Sequence, residues 1–395
     1  MGDEVEVRRV LESRQKDDAE YRLLAHRVRA SRHAELRALA APSRPEMEQS
    51  LAEGIRGALD PAARVRLVDG LRAFQGERSR GALRQVLQSD PAPQVRAAAL
   101  TALGGMADPA ELEELAARAL TDPDIAVRHT AVTLFQRLPA VRALPRLLTV
   151  LRADDDPVVL EAVGAQAESA FDAFVDHALG AGARGEELVT VARVARYIHH
   201  PGLARLLPPM AGHARPDVRE AVAGLFRARP ELARGDLLEG LLGDPVPEVR
   251  RHAVRAAMAA KRPAAAAALA RDPDPAVRTE VARTSRPGPD APLPALLGDP
   301  EPGVRAAAVV AALLGGADLA VPADLDRAAL AAEIAIATDR DALRVLVKTH
   351  PDPARRAGAG VLLALAGDTA AAGDVAAQDP SDQVRARVRA ALGEA

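Results

Sequence analysis

The sequence predicts an all-α protein built as an α-solenoid, a right-handed superhelix of about twelve stacked helix pairs. Three observations carry this. One phrase recurs along the chain: "SDPAPQVRAAAL" at 89–100, "TDPDIAVRHTAV" at 121–132, "GDPVPEVRRHAV" at 243–254, "RDPDPAVRTEVA" at 271–282, "GDPEPGVRAAAV" at 298–309 and "QDPSDQVRARVR" at 378–389. The phrase is itself a helix start. The apolar residues available for a core are small: 48% of the chain is hydrophobic, 2% is aromatic and there is no Trp. Ala, Val and Leu let helices approach towards the ~8 Å end of the usual interaxial range.

Each unit reads the same way. In 272–281, Asp272 and Pro273 end one helix and turn the chain. Asp274 can accept from free amides at the next start, and Pro275 fits the first helical position, where its missing N–H costs nothing. Val277 and Val281 then recur four apart on one face. A second apolar run precedes each "DP", as in "LLEGLLG" at 237–243. One unit is therefore helix, short turn, helix, and only stacking buries both stripes.

Anchored on its Val, the phrase falls at Val65, Val95, Val127, Val159, Val218, Val249, Val277, Val304 and Val384, with a variant at Arg355. Anchors lie 27–32 residues apart except for gaps of 59 and 51. Each wide gap is about twice the period, so degenerate units are expected near 160–212 and 320–345, around Val189 and Leu330. The array then spans 43–395. Residues 1–42 differ: they carry both charges densely, lack the phrase, and read as a helical segment that either caps the open end or reaches a partner. Ser43 with Glu46 fits a capping box for a helix with Met47, Leu51, Ile55 and Leu59 on one face.

Composition excludes several classes. Net charge is −3, from 52 Lys+Arg against 55 Asp+Glu, so nothing pulls the whole chain towards nucleic acid or anionic lipid. With no Cys, thiolate catalysis, disulfides and Cys-based metal sites are out. No run of ~18 apolar residues and no signal-peptide core occur, so a cytoplasmic protein without a membrane span is expected.

The recurring "DPxPxVRxxAxxAL" resembles HEAT repeats over roughly 55–395, in particular the short bacterial HEAT-like class labelled with the name of the phycobilisome lyases. In that family the turn Asp and the Arg after the anchor commonly form a hydrogen-bonded ladder between units. The resemblance implies such a structural ladder for Asp60 with Arg66, Asp90 with Arg96, Asp122 with Arg128, Asp244 with Arg250, Asp272 with Arg278, Asp299 with Arg305 and Asp379 with Arg385; His213 takes the Asp place before Val218. The reading that follows is a scaffold that binds protein through the concave surface of the array. HEAT-like alkylpurine DNA glycosylases share the architecture, but their activity leans on aromatic side chains and a basic groove. Lyase chemistry is not carried by the repeats alone.

Departures from the phrase are the candidate sites. The stretch after Leu160 holds Phe171, Phe174 and Tyr197, which either form a docking pocket or fill a wider joint. His199 and His200 precede a Pro-Gly turn and lack the i, i+4 spacing of a metal pair. The Gly pairs at 104–105 and 315–316 read as helix ends, and no G-x-S-x-G elbow occurs. No catalytic, cofactor or metal set is expected.

If each anchor points inward, positions two, three and six after it face outward on the concave side. These are mostly small and neutral, but one portion is basic: Arg251, His252, Arg255 and Arg283, with Lys261 and Arg262 in the following turn. The next unit, with Ala306, Ala307 and Val310 at those places, is expected to be a bare apolar groove. A basic patch beside an apolar groove suits an acidic or helical segment of another protein. The expectation is a non-catalytic adaptor, with nucleic-acid binding through the Arg patch as the alternative.

Overall fold

Pro and Asp place the helix starts as the phrase requires. The computed structural model describes residues 44–151, 156–180, 185–288 and 291–393, and among these it contains helices and turns but no strand. The segment 1–42, Ser43 and Asp154 lie outside the described residues. Two compact bodies divide between Pro201 and Gly202.

The first body holds five helix pairs: α1 (Arg44–Gly57) with α2 (Pro61–Leu71), α3 (Glu77–Ser89) with α4 (Pro93–Gly104), α5 (Pro109–Ala119) with α6 (Ile125–Phe135), α7 (Ala140–Val150) with α8 (Pro157–Ser169), and α9 (Phe171–Leu179) with α10 (Gly185–Val194). The second body holds α11 (Leu207–Ala211) with α12 (Pro216–Ala228), α13 (Gly235–Leu242) with α14 (Pro247–Ala259), α15 (Pro263–Ala267) with α16 (Pro275–Thr284), and α17 (Leu293–Leu297) with α18 (Pro302–Leu314). A single helix α19 (Arg327–Ala337) follows, then α20 (Arg340–Thr349) with α21 (Pro353–Leu365) and α22 (Thr369–Gln378) with α23 (Asp382–Leu392). Second helices pack on second helices, as in α2 on α4, α12 on α14, α14 on α16 and α16 on α18. Their anchors Val95, Val127, Val159, Val218, Val249, Val277, Val304 and Val384 are all buried.

Three expectations need correction. The unit expected near Leu330 is not a helix pair: only α19 forms there, and it packs on α18 while α18 packs directly on α21. Gly358 makes this direct contact possible, because a Cβ there would lie 1.9 Å from the Leu313 carbonyl oxygen. The first unit is anchored two residues earlier than Val65. Leu59 is 95% exposed because α1 ends at Gly57, whereas Leu51 and Ile55 of its stripe are buried.

A ladder of ion pairs runs along the turn edge of each body, always from one unit to the next. Arg96 donates through Nε and Nη2 to both Asp122 oxygens (2.9 and 2.7 Å). Arg219 does the same to Asp244, Arg250 to Asp272, Arg278 to Asp299 and Arg356 to Asp379. The third nitrogen of each Arg, Nη1, returns to its own turn: Arg250 Nη1 donates to the carbonyls of Asp244 and Pro245 at 2.7 and 3.2 Å. The Asp also accepts from the amide two residues on, as Asp272 does from Asp274 at 2.9 Å. The rungs are dry (Arg250 and Asp272 side chains are 10% and 2% exposed), so geometry matters more than charge count.

The ladder departs from its expected register at both ends and at its gaps. In the first unit Arg64, not Arg66, reaches Asp90 (2.8 and 3.0 Å); Arg66 and Asp60 are an exposed pair at 4.0 Å. At Asp156, which accepts the Val158 amide at 2.9 Å, His129 Nε2 lies 3.0 Å away and Arg128 Nη2 3.8 Å away. Among the described residues Arg305 holds only the backbone carbonyls of Asp299 and Pro300. Arg385 holds the Asp379 carbonyl and pairs with Asp382. In the Asp place, His213 and His350 accept the same amide through Nδ1, from Arg215 and Asp352 at 3.1 Å each.

Candidate functional site

The second helices of the second body present one row of charged side chains. In α14, burial of Val249, Arg250, Ala253, Val254, Ala256 and Ala257 leaves Arg251, His252 and Arg255 on the opposite, partly exposed face. The structure brings Arg251, His252, Arg255 and Arg283 to this face and gives three of them carboxylate partners on neighbouring helices. His252 Nε2 lies 3.0 Å from Glu220 Oε1 on α12. Arg255 Nη2 donates to Glu280 Oε2 on α16 at 2.5 Å. Arg283 forks onto both oxygens of Glu333 on α19, at 2.9 and 2.7 Å.

Arg251 is different. It has no hydrogen bond or ion pair among the described residues, and its buried Nε is unpartnered. Burial lowers the His252 pKa; Glu220 works to raise it, and Arg255 and Arg251 lower it again, so the ring sits below its ordinary value. The Arg255 and Arg283 guanidiniums are pushed up, first by their hydrogen bonds to Glu280 and Glu333 and against their burial.

Of the acids of this row, Glu220 and Glu280 stand at positions that the repeat phase places outward, whereas Glu333 lies outside that phase. Glu280 is expected outward by the phase of Val277, yet it is 3% exposed because Arg255 folds over it. The spacing Leu330, Glu333, Ile334, one helix face with an acid in it, was the available signal for Glu333. Lys261 and Arg262 do not join the row. Arg262 reaches Glu239 on α13 at 2.9 Å, and Lys261 closes α14 with φ +57°.

The bare apolar groove expected on α18 does not exist as an open surface. Ala306, Ala307 and Val310 are 0%, 1% and 2% exposed. Leu330 and Ile334 of α19 share one core cluster with Ala306, Val309 and Val310, so the chain covers this groove itself.

The aromatic joint in the first body offers no docking surface. Phe171 and Phe174 are 5% and 0% exposed, with Phe171 stacked on His200 at 3.9 Å between ring centroids. Tyr197 packs on Gly164, where a Cβ would lie 2.7 Å from the Tyr197 Cβ. Larger rings fill this joint. No group of three or more metal-ligating side chains occurs among the described residues, and none of their helices is long and apolar enough to cross a membrane. Shallow clefts open between first helices, one lined by Ile55, Leu59, Arg64, Val86 and Asp90, another by Lys348, His350, Arg356, Asp374 and Asp379; their polar floor is the ladder, already satisfied.

A family model for HEAT repeats matches residues 48–136 and 82–167. Residues 48–167 carry HEAT repeats. None of the curated proteins matches this chain. Among solved structures it is similar to Kap121p, with 14% identity and a TM-score of 0.35 over 97% of this chain and 54% of that one. Kap121p bound to Pho4p gives 11% identity and a TM-score of 0.31, covering 93% and 56%. An engineered protein gives 16% identity and 0.31, covering 94% and 98%. The chain spans about half the length of the Kap121p chains.

Proposed function

We propose that this chain is a non-catalytic scaffold that binds another protein through the concave, second-helix face of its second body. The observation that carries the reading is Arg251: a partly buried guanidinium beside His252 and Arg255, with no acid of its own. His252, Arg255 and Arg283 each have a carboxylate from a neighbouring helix, so an acidic partner completes the row at this point. Pairing of Arg255 and Arg283 with Glu280 and Glu333 weighs against nucleic acid, because little uncompensated positive charge is left to meet phosphates.

The test is capture of partners from the native cell by wild type and by Arg251→Glu. Arg255 is left alone, since reversing it would set two carboxylates together at the buried Glu280. Arg251→Glu should fold normally, lose an acidic partner and reduce the salt sensitivity of wild-type capture. An unchanged set of partners would remove Arg251 from the binding face. Retention of wild type on duplex DNA at ~150 mM salt would favour the nucleic-acid reading instead.

A further inference from the structure

α19 occupies the place on α18 that the regular repeat leaves open. In α14 the positions two, three and six after the anchor are partly exposed; in α18 they are buried, two of them, Ala306 and Val310, in one core cluster with Leu330 and Ile334. The stack does not need this helix, because α18 meets α21 directly at Gly358. α19 therefore lies on the array as a ligand would. Its attachment is small: Leu330, Glu333 and Ile334 are buried, whereas Ala331, Ala332, Ala335 and Ile336 face outward, Ile336 at 61% exposure. Eleven residues make a helix of about 16 Å, too short to be stable without its seat.

Resting on the reading of this face as protein-binding, we propose that its occupant is an acidic amphipathic helix, that α19 is a built-in version of that helix, and that the partner takes the seat of α19. The seat defines the ligand. It wants apolar side chains at i and i+4, as Leu330 and Ile334 are, with a Glu at i+3 to fork onto Arg283. Arg251, on α14 next to the α16 layer that carries Arg283, has no acid of its own, and a longer helix that extended to it would gain a further pair. That extra pair matters, because the tether gives α19 an effective concentration of order mM. A free helix with the same contacts loses to α19, and one with a further acid on the same face can win.

The experiment uses the full chain and a fluorescent peptide of residues 324–339, with hydrogen exchange reporting the amides of 327–337. Wild type should bind the peptide weakly. Leu330→Asp should expose the α19 amides and bind at least tenfold tighter. Glu333→Gln, a milder change, should do the same to a smaller degree and decides the matter if Leu330→Asp loses helix. Adding Arg283→Glu to Glu333→Gln should abolish binding, and a peptide carrying E333R should restore it. If chains with unprotected α19 bind no better than wild type, the proposal is overturned. A partner that needs Arg251 but leaves α19 protected would also overturn it, while leaving the protein-binding reading intact. If instead the peptide binds as expected and Arg251→Glu keeps every native partner, the seat stands and the wider reading falls.

Discussion

Arg250 holds both oxygens of Asp272 at 2.7 Å and, with its remaining nitrogen, the carbonyl of Asp244 at 2.7 Å. One side chain thus ties its own turn to the turn of the next unit. Both residues are nearly dry, so each depends on the other. Asp272→Ala should leave a buried guanidinium without its acid and cost about 3–5 kcal/mol. In hydrogen exchange, α14 and α16 should open early while α22 and α23 keep their protection, since contacts run only between neighbours. Uniform loss across the second body would contradict this.

Stability should fall in acid, with a definite sign. Burial raises the carboxyls of Asp122, Asp244 and Asp299, and bonds from Arg96, Arg219 and Arg278 outweigh it; at Asp379 the bond from Arg356 comes first. All four sit below the ordinary Asp value, so the unfolded chain takes up protons first as pH falls. Their contribution is complete above about pH 5 and lost progressively below about pH 4. His252, lowered chiefly by burial, adds a shallower step: its contribution is complete above about pH 6.5 and lost below it. Melting temperature against pH should show both, and His252→Gln should remove only the shallow one.

Lys261 sits at φ +57° as α14 ends, with the Arg262 amide donating to Ala257 and that of Lys261 to Met258. Gly316 and Gly367 close α18 and α21 in the same left-handed conformation. Lys261→Gly should therefore stabilise the second body by roughly 0.5–1 kcal/mol, as seen by denaturant midpoint. A destabilised variant would show that the Lys261 side chain contributes more than its backbone costs.

Gly358→Ala should force α18 and α21 apart, since the new methyl would lie on the Leu313 carbonyl. Overpacking of this kind costs about 1–3 kcal/mol. Near-UV signals are weak in so aromatic-poor a chain, so thermal melting by far-UV circular dichroism is the better measurement. An unchanged melt would mean the two helices separate freely.

Periodic residues were legible in the sequence because each obeys a local rule. Pro at the first helical position, Asp at the turn and Val at i, i+4 need only their own neighbours, and so Val249 and Val277, read as buried, are 0% exposed. Arg64 was less legible: "DP" occurs there as a helix cap rather than as the turn, and sequence alone does not separate the two uses.

What the sequence by itself determined is the unit: a helix pair that must stack, repeated along the chain, on a core of small side chains. Only the tertiary structure decided where that unit fails. Arg255 and Arg283 looked free because their acids, Glu280 and Glu333, lie 25 and 50 residues away. The groove on α18 looked open because its cover, α19, comes from a segment that breaks the period. A repeat constrains contacts between equivalent positions of neighbouring units; a helix lying across the stack pairs positions that no period relates, so folding alone settles its place.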